Sequence, residues 1–127
     1  MLSNAQSIVN KIDEVRAIAS TKNPDILAFT ETWTHETIDD SYLQIKGYEL
    51  IIREDRTHTE RGRGGGLLLY GRTDLQMWRE EADAGFNQCG TAAMKIGNVE
   101  YKMHIVYRSP NSARENDENM CEWVRSL

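Results

Sequence analysis

Residues 24–33 read PDILAFTETW, and the apolar run Ile26, Leu27, Ala28, Phe29 constrains the fold more than any other feature of the chain. A short uninterrupted run opened by Pro-Asp has the pattern of a strand buried on both faces, which requires a layer above it and a layer below. One such layer precedes it directly. Between residues 7 and 19, Ile8, Val9, Ile12, Val15, Ile18 and Ala19 recur at helical spacing, with Lys11, Asp13, Glu14 and Arg16 on the other side. This spacing predicts an amphipathic helix, stopped by Thr21-Lys22-Asn23-Pro24. A helix feeding a buried, parallel-type strand predicts the α/β class. Glu31 then stands out, because a carboxylate occupies the place where the strand leaves the core.

The rest of the chain supplies partners for that strand. Residues 48–53 (YELIIR) predict a second strand, residues 67–70 a third approached through Gly64, Gly65 and Gly66, and residues 75–78 a short fourth. Residues 91–96 and 99–107 flank Gly97-Asn98, a two-residue hairpin signal, and predict an antiparallel pair. Pro110, Asn111 and Ser112 make a turn before a helix beginning near Glu115. A chain of 127 residues fits one domain at most.

Composition removes several function classes. No apolar run approaches the roughly 18 residues that span a bilayer, so no membrane partner is expected. Cys89 and Cys121 are isolated, without CxxC or nearby His spacing, which argues against a zinc site or disulfide framework and for a reduced intracellular setting. His35, His58 and His104 have no ligand spacing among themselves and are expected in structural or solvated roles. The net charge of -5 excludes a generally basic surface. A local exception is the segment with Arg53, Arg56, Arg61, Arg63 and Arg72 against Glu54, Asp55 and Glu60; it reads first as a solvated charged loop and second as a polyanion contact. RGRGGGLLLY is no phosphate-binding loop, since no Lys-Ser/Thr pair follows the glycines and a strand stands where the helix should be. The glycines instead allow tight passage into a buried strand beside a close neighbour.

Taken in order, NAQSIVNKIDEV, PDILAFTETW, YELIIREDR, GGGLLLY and HIVYRSPNS resemble the endonuclease/exonuclease/phosphatase superfamily, and within it the apurinic-type endonuclease domain of non-LTR retrotransposons. The resemblance runs over nearly the whole chain, and TETW followed by YRSPN carries most of its specificity. It implies the N-terminal half of a four-layer α/β sandwich, two packed sheets with outer helices. It also implies that Glu31 and Asn4 help to hold a magnesium or manganese ion, with Gln6 a polar neighbour on the substrate side. By the same resemblance Tyr107 donates its hydroxyl to the scissile phosphate, Asn111 contacts the nucleic acid from the turn, and Arg108 binds substrate beside it.

The implied activity is magnesium-dependent nicking of a DNA phosphodiester, with DNA as partner and with nuclear access. The superfamily's later motifs, Gly-Asp-x-Asn and Ser-Asp-His, do not occur in the sequence. Residues 1–127 are therefore expected to be a truncated domain, short of the first strand and the C-terminal half and inactive alone. One apolar sheet face is expected to stay uncovered, available to the missing half or to self-association. Two alternatives remain open at this point: a catalytically dead remnant serving as a binding or interaction module, and a phosphatase or lipid phosphodiesterase of the same superfamily.

Overall fold

The run at residues 26–29 makes up all but the last residue of β2 (Ile26–Thr30), a central strand of the first sheet. The computed structural model describes residues 1–56, 65–81 and 88–127; His58, Glu60, Arg61, Arg63, Gly64 and residues 82–87 of the polar segment lie outside the described residues. β1 (Leu2–Asn4), β2, β3 (Tyr48–Glu54) and β4 (Leu67–Arg72) form one sheet in the order β1-β2-β4-β3. β1 runs parallel to β2, and the other neighbours are antiparallel. β5 (Gln76–Glu80), β6 (Cys89–Ile96) and β7 (Val99–Val106) make a second, antiparallel sheet in chain order, with Gly97-Asn98 as the expected hairpin turn.

The helical spacing of the N-terminal segment covers one face of the first sheet. A 3-10 turn (Val9–Lys11) leads into α1 (Ile12–Lys22), and Asn23, left-handed at φ 44°, ends it by donating its backbone N–H to the Ala19 carbonyl. Ile8, Ile12, Val15 and Ala19 pack with Leu27, Phe29, Leu68 and Tyr70 in one buried cluster. Tyr70 carries its hydroxyl through that layer to the Leu43 carbonyl at 2.7 Å, so the burial of its ring costs no unpaired polar atom. On the opposite face, Ile52, Leu67 and Leu69 meet Met77, Ala92 and Ile105 of the second sheet. α2 (Arg114–Ser126) lies over the outer side of that sheet, where Trp123 sits edge-on to His104 at 5.0 Å. The order helix, sheet, sheet, helix is the architecture expected from the sequence.

Two expectations are corrected. A strand does precede the helix, because Leu2, Ser3 and Asn4 pair in register with Ala28, Phe29 and Thr30. All three residues are exposed, so no apolar pattern marks them; the open backbone edge of β2 makes the strand. Nor is β2 buried on both faces: Leu27 and Phe29 are fully buried under α1, whereas Ile26 and Ala28 are only half-buried. The second sheet stacks chiefly on β3, which leaves this part of β2 partly uncovered.

Candidate functional site

Every segment that carries a candidate site residue ends at one edge of the two sheets. β1 and β2 point their C-terminal ends there, β4 begins there, and β7 ends opposite the start of β6. A string of hydrogen bonds joins these ends. Past β1, the N–H groups of Ala5, Ser7 and Ile8 reach the carbonyls of Thr30, Glu31 and Thr32 at 2.8, 3.0 and 3.0 Å. Thr32 and Trp33 in turn donate to the carbonyls of Gly66 and Gly65. The Gly66 N–H reaches the side-chain oxygen of Gln88 at 2.7 Å, and the Gln88 carbonyl accepts from the Tyr107 N–H at 2.9 Å. Asn4, Glu31 and Tyr107 are therefore tied to a single edge across both sheets.

The backbone at this edge is strained. Gln6, Ser7, Glu31, Trp33 and Gln88 all have φ between 45° and 80°, a region that costs a residue with a Cβ about 1–2 kcal/mol. Among the described residues the one other such case without a glycine is the helix-capping Asn23. Strain of this kind persists where surrounding bonds over-determine the conformation, and it gathers at functional sites. Here the bonds that hold it are those of the string itself. Thr32 and Thr34, both fully buried between these turns, satisfy each other through a 3.1 Å hydroxyl contact.

The individual side chains differ in what they can do. Glu31 is half-buried, and its Oε2 accepts from the Trp33 indole Nε1 at 2.7 Å and from the Gly65 N–H at 3.3 Å. Among the described residues both bonds fall on Oε2 and none on Oε1. Asn4 and Gln6 are exposed at the end of β1 and in the turn after it. Tyr107 is half-buried against the core between the sheets, one residue beyond β7. Asn111 is exposed in the turn that leads to α2.

Arg108 faces elsewhere. Its guanidinium makes a two-pronged pair with Asp117 of α2 at 3.0 and 2.8 Å, and in this arrangement it holds the helix to the end of β7. Hydrogen bonds from Arg108 and from Ser112 hold the Asp117 carboxyl below the ordinary carboxylate range. Two arginines of the basic segment, Arg53 and Arg72, show the same internal pairing. Arg53 binds Asp40 and Asp55 and the carbonyls of His35 and Ile38, pinning the loop that follows TETW onto β3. Arg72 pairs with Asp25 and Asp74.

The donor set can be tested against a divalent ion. Among the described residues no three His, Cys, Asp or Glu side chains converge, so a zinc-type or calcium-type cage is not formed by them. One carboxylate oxygen with a neighbouring amide is the sparse, hard-oxygen donor set that suits magnesium, which keeps most of its waters. Trp33 and Gln88 escape a reading by residue type, since Trp33 has no ligand atom, the Gln88 side-chain oxygen is taken by the Gly66 N–H, and left-handed Glu and Trp follow no sequence rule. The one available signal was position, two residues from Glu31 for Trp33 and three residues before the strand pattern at 91–96 for Gln88.

No family model matches this chain, and no curated protein matches it. Solved structures do. The crystal structure of the AP endonuclease LMAP from Leishmania major superposes at TM-score 0.73 with 16% identity, covering 99% of this chain and 47% of that one. The endonuclease domain of TRAS1, a telomere-specific non-LTR retrotransposon, superposes at TM-score 0.67 with 15% identity, covering 99% of this chain and 53% of that one. The chain has the fold of these nucleases and spans about half of their length. None of its helices, among the described residues, is long and apolar enough to cross a membrane.

Proposed function

We propose that this chain is the N-terminal portion of a magnesium-dependent or manganese-dependent phosphodiesterase domain, of the DNA-nicking kind carried by non-LTR retrotransposons. The observation that carries the reading is the string of hydrogen bonds that gathers Asn4, Glu31 and Tyr107 at one strained sheet edge. Glu31 Oε1 and the Asn4 amide would hold the ion, which when bound supplies Lewis acidity to a phosphoryl oxygen and a more acidic water. Tyr107 would donate its hydroxyl to the phosphate as negative charge grows there, and the exposed amides of Gln6 and Asn111 would orient the nucleic acid. Arg108 would reach substrate by giving up Asp117.

Without the Gly-Asp-x-Asn and Ser-Asp-His motifs, residues 1–127 by themselves would bind the ion and DNA without cutting, since catalytic groups that act as a unit fail together. The half-open face of β2 would accept further strands of the same fold, in cis or from a second copy. Electron paramagnetic resonance of Mn2+ titrated into the chain tests the reading. Binding by the wild type that Glu31→Gln weakens at least tenfold supports it; equal binding by both, or none by either, refutes it. Nicking of supercoiled plasmid that disappears in Glu31→Ala would show the chain to be a complete catalyst instead.

A further inference from the structure

Glu31 has two oxygens, and the fold treats them differently. Oε2 is occupied twice, by the Trp33 indole at 2.7 Å and by the Gly65 N–H at 3.3 Å. The turn that carries the indole is itself held: the Trp33 backbone N–H donates to the Gly65 carbonyl at 2.9 Å, and Thr32, between Glu31 and Trp33 in the chain, is fully buried. Glu31 and Trp33 share the left-handed conformation, at φ 54° and 56°. A regular strand would point side chains two residues apart the same way without bringing them into contact. The double left-handed turn of Glu31-Thr32-Trp33 bends the indole back onto its own neighbour's carboxylate.

We propose that Trp33 is a positioning residue, whose indole N–H locks one oxygen of Glu31 so that the other alone is presented to a divalent cation. The inference rests on the reading of Glu31 as a metal ligand and adds the device that sets how Glu31 binds. A carboxylate with both oxygens free can rotate or chelate through both; one with an oxygen held by two N–H groups offers a single fixed donor. That suits a small ion with demanding geometry, for which a partner behind the ligand typically governs affinity by 10-fold to 100-fold. Tryptophan serves here because its N–H donates and cannot accept, and its ring fills the half-buried space beside the turn.

Two measurements on the full chain test this. In the wild type, the three tryptophan indole N–H resonances are followed as Mn2+ is added; Trp33 should broaden at lower Mn2+ than Trp78 or Trp123. Either of the others broadening first refutes the proposal. In W33F the ring remains and the donor is lost, so Mn2+ affinity should fall 10-fold or more, while thermal unfolding of the metal-free protein stays near that of the wild type. W33H, which restores a ring N–H, should recover part of the loss. W33F that binds Mn2+ as the wild type does, whether or not its unfolding temperature drops, shows a merely structural tryptophan and overturns the proposal alone. A wild type that binds no Mn2+ overturns the reading of Glu31 and this proposal together.

Discussion

Gly66 is where the hydrogen-bond string is narrowest, and replacing it tests whether the site edge is built as described. Its φ is +97°, and an added Cβ would run into the Thr32 hydroxyl and stand 3.2 Å from the Trp33 backbone nitrogen. The hydroxyl is fully buried and bonded to Thr34, and the nitrogen belongs to a turn already strained, so neither neighbour can move cheaply. Gly66→Ala therefore combines about 1–2 kcal/mol of backbone strain with about 1–3 kcal/mol of overpacking. The shift that relieves the contact would also lengthen the 2.7 Å bond from the Gly66 N–H to Gln88, worth about 1 kcal/mol. The sum, about 3–6 kcal/mol, is a large fraction of the 5–15 kcal/mol that such a domain has in all. Gly47 supplies the control, with φ +84° and no atom within 4 Å of an added Cβ. Gly47→Ala should cost the strain alone, about 1–2 kcal/mol. In urea denaturation, with a slope of about 2 kcal/mol per molar, the midpoint should fall by about 2 M for Gly66→Ala and by less than about 1 M for Gly47→Ala. Equal midpoints for the two variants would refute the packing argument.

Other consequences are as direct. Tyr70→Phe leaves the buried Leu43 carbonyl without its donor and should cost about 1–3 kcal/mol in the same assay; an unchanged midpoint would count against that bond. Asp117 titrates below its ordinary value because of Arg108 and Ser112, so its contribution is complete above the unfolded-state value of about 4 and disappears as pH falls through the lowered one. The Trp123 indole signal should thus report loosening of α2 only on the acid side, and an Asp117→Asn protein with the same acid profile as the wild type would contradict this. Cys89 is half-buried and its thiol is pushed up by burial and by Glu54, whereas Cys121 is exposed on α2. A disulfide reagent at neutral pH should label Cys121 first, and Cys89 reacting as fast would show a second sheet more open than described.

The sheets were legible in the sequence because their signals are local. The alternation around Gly97-Asn98 specifies the β6–β7 hairpin, and the helical spacing between Ile8 and Ala19 specifies the layer over Leu27 and Phe29. β1 was not legible, since three exposed residues form a strand only when β2 offers its edge. The buried threonines of TETWT were hidden for a related reason. Nothing in the residue types of Thr32 and Thr34 marks them as core, yet both are fully buried, because turns from three separate parts of the chain close over them.

This difference between local and long-range signals also separates Glu31 from its setting. Glu31 could be singled out by type, as a carboxylate at the end of an apolar strand. What holds it in place is contributed by Ser7, Gly65 and Trp33, and the contacts of Ser7 and Gly65 with it cross 24 and 34 residues of chain. Tyr107 is joined to the same edge through the side chain and carbonyl of Gln88, which no motif marks. The edge is thus held by hydrogen bonds between turns, with Ala5 and Ile8 at one end and Tyr107 at the other resting on the apolar core. A substitution in the core can lower stability while the site keeps its shape, whereas a change at Gly66 or Gln88 disturbs the bonds that set Glu31 and Tyr107 relative to each other.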